Sequence, residues 1–96
     1  MTNEFTIFVR DLNGNDYSID VKNSTSISEI IDEYKKKRGF NEDKSVTLAF
    51  KGKKLKSNET IKDKKIEELN TLRVVDLEDF LQIGGFSLNN FFVLNI

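Results

Sequence analysis

The 96-residue chain contains no cysteine, no histidine and no proline. Without cysteine it forms no disulfide, thiolate nucleophile or zinc–thiolate site. Without histidine it lacks the commonest general base and the commonest metal ligand. The missing proline, together with many Lys and Asn residues, indicates a compositional bias rather than a function. We therefore expect no metal and no cofactor.

A strong charge of either sign is also absent, since 15 basic side chains face 16 acidic ones and the net charge is −1. This balance gives no general reason to expect nucleic acid or an anionic membrane as a partner. The N-terminal residues lack a basic region followed by an apolar core, so we expect no signal peptide. No charge-free apolar run reaches the roughly 20 residues that a membrane-spanning helix needs. The length fits one domain.

Two alternating stretches near the start of the chain predict a β-hairpin. Apolar residues recur at every second position in Phe5, Ile7 and Val9, and again in Tyr17, Ile19 and Val21. This period is typical of half-buried strands. Asn13-Gly14 between them supplies residues that tolerate positive φ, as a tight hairpin turn requires.

One helix is predicted over residues 27–38. Ser26 and Glu29 have the spacing of a capping box, in which each side chain accepts a hydrogen bond from the other residue's amide. The helix has an apolar stripe formed by Ile27, Ile30, Ile31 and Tyr34. Four basic residues over 35–38 favour the negative end of the helix dipole. Gly39 can adopt the left-handed conformation that ends a helix.

Further strands are predicted after the helix. Alternation over residues 46–50 indicates one, a short strand ends at Leu55, and a last strand covers about residues 71–76. A helix with one apolar stripe needs a sheet face to cover it. The fold class is therefore α+β, with one main helix packed on a mixed sheet of four or five strands.

The order of elements, the turn glycines and the apolar spacing resemble those of ubiquitin and its relatives, which share the β-grasp fold. Four segments carry the resemblance: residues 7–14 (IFVRDLNG), 48–55 (LAFKGKKL), 60–63 (TIKD, which also predicts a capped helical turn) and 71–75 (TLRVV). The match is colinear over roughly residues 5–76. We expect a ubiquitin-like domain over residues 1–79 and a C-terminal tail over residues 80–96.

Two details favour the SUMO branch of this family. Tyr34 lies five residues before Gly39, and Asn58-Glu59-Thr60 replaces a loop that contains glycine in ubiquitin. Two others point away from it. Only about four residues precede the first strand, where SUMO proteins usually have a longer extension, and no Val/Ile/Leu-Lys-x-Glu stretch offers an acceptor lysine.

The pair Gly84-Gly85 carries the functional expectation. Conjugated members of the family end in this pair after processing, because their enzymes thread an extended tail through a narrow channel. The resemblance implies cleavage after Gly85 and transfer of its carboxyl group to a substrate lysine. It implies as partners a processing protease, activating and conjugating enzymes, and substrate proteins. It also implies a monomeric modifier, not an enzyme, in the cytoplasm or nucleus.

The tail differs from that of ubiquitin. It is about four residues longer, and the acidic and apolar residues 76–81 replace a basic stretch that the ubiquitin-activating enzyme recognises. The eleven residues 86–96 contain seven large apolar side chains and no charge. Three interpretations of this segment stay open. It is a propeptide that a protease removes, it packs on the domain as a strand or a cap, or it attaches the chain to a partner or a membrane. If they pack, the chain is a non-conjugated interaction domain.

The resemblance implies two partner surfaces and one linkage residue. Leu12, Ala49 and Val75 match the apolar patch of ubiquitin, with Ala49 in place of a larger aliphatic side chain at its centre. Lys53 matches a chain-linkage lysine.

The second surface is the peptide groove of SUMO, between the second strand and the helix, where a partner adds a strand to the sheet. Ile19 and Val21 match this groove. Asp20 lies where SUMO usually has a basic residue, and it would repel acidic flanks of a peptide.

Clustered charges are expected to be solvated. The basic stretches at residues 35–38 and 51–56 have no groove-entering element beside them, so no nucleic-acid partner is expected. The candidate catalytic carboxylates are Glu42-Asp43, Glu67-Glu68, and Glu29, Asp32 and Glu33. Paired acids act as catalysts only where their surroundings separate their pKa values, and no pattern here predicts such burial.

Overall fold

The computed structural model describes residues 3–79. The elements in chain order are β1 (Phe5–Arg10), β2 (Asp16–Val21), α1 (Ile27–Arg38), β3 (Lys44–Phe50), β4 (Lys53–Lys54) and β5 (Thr71–Asp79). The strands form one mixed sheet in the order β2-β1-β5-β3-β4, and α1 packs across one face of it. The predicted fold class, α+β with a β-grasp arrangement, is confirmed.

The hairpin of β1 and β2 follows from the turn that joins them. The strands pair antiparallel, from Phe5 opposite Val21 to Arg10 opposite Asp16. Gly14 in the turn has a φ of 90°, a conformation that residues with a side chain rarely adopt.

The helix begins and ends at the predicted residues. Ser26 Oγ accepts a hydrogen bond from the Glu29 amide, and the Glu29 carboxylate accepts one from the Ser26 amide. At the other end Gly39 is left-handed, with a φ of 71°, and its amide donates to the carbonyl of Lys36. In residues 3–79 no helix is both long and apolar enough to cross a membrane.

The last strand lies at the centre of the sheet. β5 pairs parallel with β1, with Leu72 opposite Val9, and antiparallel with β3, with Lys44 opposite Asp79. It is three residues longer than predicted, because β3 begins at Lys44 and its backbone continues the ladder as far as Asp79.

One core lies between the helix and the sheet. Its largest fully buried side chains are Tyr34, Ile7, Ile27, Ile30, Leu48, Ile61, Leu72, Val9 and Val21. Burial of each aliphatic side chain contributes about 1.5–3 kcal/mol before ordering entropy is subtracted. The helical stripe and the alternating strand residues therefore meet as the sequence pattern indicates.

The segment between β4 and β5 contains the predicted capped turn. The Thr60 amide donates to the Asp63 carboxylate, and the Asp63 amide donates to Thr60 Oγ1, both at 3.1 Å. Residues 61–65 form turns rather than a helix, and they place Ile61 in the core.

Candidate partner-binding surfaces

Asp11 is a buried carboxylate that holds the turn between β1 and β2. Its Oδ1 accepts hydrogen bonds from the amides of Asn13 and Asn15, both at 2.9 Å. Its Oδ2 accepts one from Arg38 Nη1 at 3.0 Å. Because Arg38 is the last residue of α1, this ion pair joins the turn that carries Leu12 to the end of the helix.

The surroundings of Asp11 lower the pKa of its carboxyl group. Burial alone would raise that pKa. The hydrogen bonds from the Asn15 and Asn13 amides and the positive charge of Arg38 outweigh the effect of burial. Asp11 is therefore ionised at neutral pH, with partners for both of its oxygens.

Aromatic rings surround the Arg38 guanidinium. Its central carbon lies 4.6 Å from the centre of the Phe40 ring, 5.6 Å from that of Tyr17 and 5.8 Å from that of Tyr34. Nη1 also donates to the Tyr34 hydroxyl at 2.8 Å. Burial raises the pKa of Tyr34, so its hydroxyl stays neutral and accepts this bond. Ring faces attract the cation in addition to its hydrogen bonds.

Leu12 and Val75 form an exposed apolar surface beside this turn, which we call the Leu12–Val75 patch. Their exposed fractions are 59% and 41%. Both residues line a shallow depression together with Arg10 and Arg73. The structure thus brings two of the three residues predicted for this surface together, between two cationic side chains. Their role in binding a partner stays a prediction.

A β-bulge accounts for the position of Val75. Leu48 of β3 lies opposite Val74 and Thr47 lies opposite Asp76, so Val75 is the extra residue of β5. Bulges re-aim side chains at the edge of a regular ladder. The alternation along the sequence does not reveal this irregularity, because it depends on the pairing with β3.

Ala49, the third predicted residue of this surface, is only 8% exposed. Its pairing partners are Arg73 on β5 and Lys54 on β4. Ala49 therefore presents little apolar surface, and its neighbours across the sheet are cations. Lys53 on β4 is exposed, and the linkage role of Lys53, like partner binding by Ala49, stays a prediction.

The second predicted surface is a groove of about 540 Å³ between β2 and α1, which we call the β2–α1 groove. Ile19 and Val21 are only 3% and 2% exposed, because alternate residues of a strand face the core. Their side chains close the floor of the groove, so a partner can reach only the backbone of β2 and the polar rim. The binding role of Ile19 and Val21 stays a prediction and is limited to their backbone.

The rim of the β2–α1 groove is mainly acidic. It is lined by the carboxylates of Glu4, Asp20, Glu29, Asp32 and Glu33. Two basic residues, Lys22 and Lys36, also line it. In the described part of the chain no three potential ligands gather closely enough to hold a metal ion.

The remaining predicted residues are dispersed or lie beyond the described ones. Glu42, Glu67 and Glu68 are exposed, and Asp43 is half-buried. Gly84 and Gly85, the predicted processing and conjugation residues, lie outside the described residues, as does the apolar segment 86–96.

The domain that carries both surfaces matches a protein-family model. The model described as "Ubiquitin-2 like Rad60 SUMO-like" aligns with residues 5–75. The chain belongs to this ubiquitin-like family. The description agrees with the SUMO-like details at Tyr34 and residues 58–60. Comparison with curated proteins gives no match.

Two features of this SUMO-like domain were not predicted from its sequence. The pair Asp11–Arg38 joins residues that are 27 positions apart. The sequence could have indicated only the hydrogen bonds of Asp11 within its own turn, since Asp before an Asn-Gly turn commonly accepts hydrogen bonds from the turn's amides. Leu69 is 63% exposed and has a φ of 66°, which no pattern in the sequence indicates.

Proposed function

We propose that this SUMO-like protein is a modifier, made as a precursor, cleaved after Gly85 and joined through Gly85 to lysines of substrate proteins. The course of β5 supports this proposal, since the strand runs extended to Asp79, and four residues separate Asp79 from Gly84. The described strand therefore ends with four residues remaining before the pair that a protease and an activating enzyme would have to engage.

The chemistry requires little of the domain itself. The Gly85 carboxylate attacks the α-phosphate of ATP, which gives an acyl adenylate and releases pyrophosphate. A cysteine thiolate of the activating enzyme displaces AMP. A substrate lysine amine, having lost a proton, then displaces the thiolate and forms an isopeptide bond. A chain without Cys or His fits the role of acyl donor, because the enzymes supply nucleophile and base.

Two features favour binding partners and enzymes that differ from those of ubiquitin. Ala49 presents little apolar surface, so a partner that holds a larger aliphatic side chain at this position would lose that contact. The sequence at residues 76–79 contains three acidic residues, where ubiquitin presents a basic tail to its activating enzyme. We propose protein partners, a monomeric state and a location in the cytoplasm or nucleus.

The proposal is tested by incubating the N-terminally tagged chain in a lysate of its own source and measuring intact mass. We expect loss of residues 86–96 and the appearance of adducts of higher mass. Gly85→Ala is the matched control, and it should give neither product. If the wild-type chain keeps residues 86–96 and forms no adduct, the proposed conjugation is wrong.

A second candidate is a non-conjugated interaction domain whose residues 86–96 pack on it. It is supported by the Leu12–Val75 patch and the β2–α1 groove, which need no processed tail. Amide hydrogen exchange of the full chain separates the candidates, because packing protects residues 86–96. Fast exchange throughout that segment would rule out a packed tail.

A further inference from the structure

The central strand β5 has a free edge along its second half. In residues 3–79 it pairs with β1 only from Thr71 to Arg73. Beyond that point its described pairing continues on the other side alone, with β3, as far as Asp79. The edge that β1 leaves open in this part of the chain therefore presents unpaired amides and carbonyls, which are a template for another strand.

A depression of about 360 Å³ lies where this free edge begins. The end of β1 and the turn after it line one side, and residues 73–75 of β5 line the other. Leu12 and Val75, which form the Leu12–Val75 patch, are both exposed there. A strand added to the free edge would pass over the depression and cover apolar surface of both residues, which favours its binding.

The sequence after β5 carries the signal of a tight hairpin. Gly84-Gly85 separates two largely apolar stretches, residues 80–83 and residues 86–96. A two-residue Gly-Gly loop between such stretches is typical of a hairpin, because both central residues of its turn need a positive φ. Such a turn would lead residues 86–96 back along β5.

The length of the returning segment fits the free edge. Counting outward from a turn at the glycine pair places Leu94 opposite Val75 and Asn95 opposite Val74. Val74 is the first residue of β5 beyond its pairing with β1. Residues 86–95 are therefore enough to cover the whole free edge.

In this register the added strand has one mainly apolar face. Residues of a strand alternate between its two faces, and residues that lie opposite each other share a face. The face shared with Val75 would carry four apolar residues and one asparagine, namely Phe86, Leu88, Asn90, Phe92 and Leu94. Leu94 would thus lie next to the depression beside Leu12.

Charge favours this segment over a second copy of β5 as the occupant of the edge. Residues 76–79 contain three acidic side chains, and like charges on neighbouring strands weaken their pairing. Residues 86–96 carry no charge, so they avoid this repulsion. Two copies of β5 side by side would not avoid it.

We propose that residues 86–95 fold back through a turn at Gly84-Gly85 and pair antiparallel with the free edge of β5, so that Leu94 covers the Leu12–Val75 patch. The proposal rests on the second candidate function, because it assigns the packed tail a place in the fold. The glycine pair cannot form a tight turn and an extended protease substrate at the same time. Pairing and cleavage after Gly85 therefore compete for the same segment.

The register is tested with introduced cysteines, because the chain has none of its own. Val75→Cys with Leu94→Cys places two thiols opposite each other, at a Cα separation of roughly 4.5–5.5 Å that a disulfide accepts. Val75→Cys with Asn95→Cys is the matched control, because a shift of one residue places the second thiol on the other face. Both purified full chains are treated with oxidised glutathione, and the remaining thiols are counted by alkylation and intact mass.

We expect the variant with Leu94→Cys to form its intramolecular disulfide at least about tenfold faster than the variant with Asn95→Cys. Equal rates would overturn the proposal, because an unpaired segment brings both positions to Val75 equally often. A disulfide between two chains, detected as a doubled mass, would also overturn it and assign the edge to a second copy.

Amide hydrogen exchange of the full chain without introduced cysteines gives an independent measurement. Pairing at the free edge should slow, by at least about tenfold, the alternate amides of residues 74–79 that do not bond to β3. Gly85→Val should restore fast exchange there, because a β-branched residue resists the positive φ of the turn. Gln82→Val, in the strand before the turn, should keep the exchange slow. Equal loss of protection in both variants would contradict a turn at the glycine pair.

The same exchange data distinguish failure of the proposal from failure of the second candidate function. Slow exchange of residues 86–95 with fast exchange at the free edge of β5 would place the packed tail elsewhere and overturn the proposal alone. Fast exchange of both segments would overturn the proposal and the second candidate together. No enzyme is present in either experiment, so neither result depends on conjugation.

Discussion

The two edge strands of the sheet differ in length, charge and anchoring. β2 has six residues, and the turn before it is tied to the helix through Asp11 and Arg38. β4 has two residues, Lys53 and Lys54, and it pairs only with β3 among the described strands. Short length and lysines protect an edge from unwanted pairing. β2 has neither feature, because it is six residues long and contains no lysine.

The same comparison predicts unequal sensitivity to mutation. On the β2 side, the strand packs against α1 and the turn before it is joined to the helix end by the Asp11–Arg38 ion pair. On the β4 side, the strand consists of two exposed lysines next to a tight turn. Substitutions beside β2 should therefore lower the free energy of unfolding far more than substitutions in β4.

The largest expected effect is that of Ile30→Ala beneath the β2–α1 groove. Removing this fully buried side chain leaves a cavity next to β2, and such changes lower the free energy of unfolding by about 2–5 kcal/mol. Urea denaturation measures the loss. Ile31→Ala is the control, because Ile31 is only half-buried. A loss at Ile31 as large as at Ile30 would contradict the assigned core.

Arg38→Leu should have the next largest effect. It removes the hydrogen bonds of Arg38 to Asp11 and to Tyr34, which we expect to lower the free energy of unfolding by about 1–3 kcal/mol. Arg38→Lys retains the charge and should lose less. Equal losses in the two variants would mean that packing against the aromatic rings, not the ion pair, anchors the turn.

Acid should weaken the ion pair between Asp11 and Arg38, which joins the turn before β2 to the end of α1. The pKa of Asp11 is lowered in the folded protein, so its contribution is complete above the unfolded value, about pH 4. That contribution is lost as pH falls through the lower folded value. Asp16, whose pKa the hydrogen bond from Arg10 lowers, adds a smaller, screened contribution of the same sign.

This acid effect is tested by measuring the urea midpoint of unfolding of wild type and of Asp11→Asn between neutral pH and pH 2. Asp11→Asn should be less stable at neutral pH, and its midpoint should fall less on acidification. A variant that loses as much stability as wild type over this range would show that other carboxylates dominate acid unfolding.

The smallest expected effect is that of Lys53→Glu or Lys54→Glu in β4. Both side chains are exposed, and surface changes of this kind usually alter stability by less than about 0.5 kcal/mol. Thermal unfolding followed by circular dichroism would detect a larger change in stability than this. A loss comparable to that of Arg38→Leu would erase the contrast between the two edges.

Local signals in the sequence predicted local structure well. Ser26, Glu29 and Gly39 define the ends of α1 because capping bonds span only a few residues. The Asp11–Arg38 pair and the bulge at Val75 could not be predicted, since both depend on which distant segments meet. The same holds for the groove, where alternation placed Ile19 and Val21 on one face of β2 but did not reveal how completely α1 covers them.

The central position of β5 has a consequence for the order of assembly. β2 and β1 form one half of the sheet, β3 and β4 form the other, and in the described sheet only β5 joins them. During synthesis the hairpin and the helix can form early from local contacts, but the two halves share no strand until residues 71–79 have left the ribosome. Until then the flanks of β1 and β3 that later hold β5 remain open, and the nascent chain is most exposed to pairing with a foreign strand in that interval.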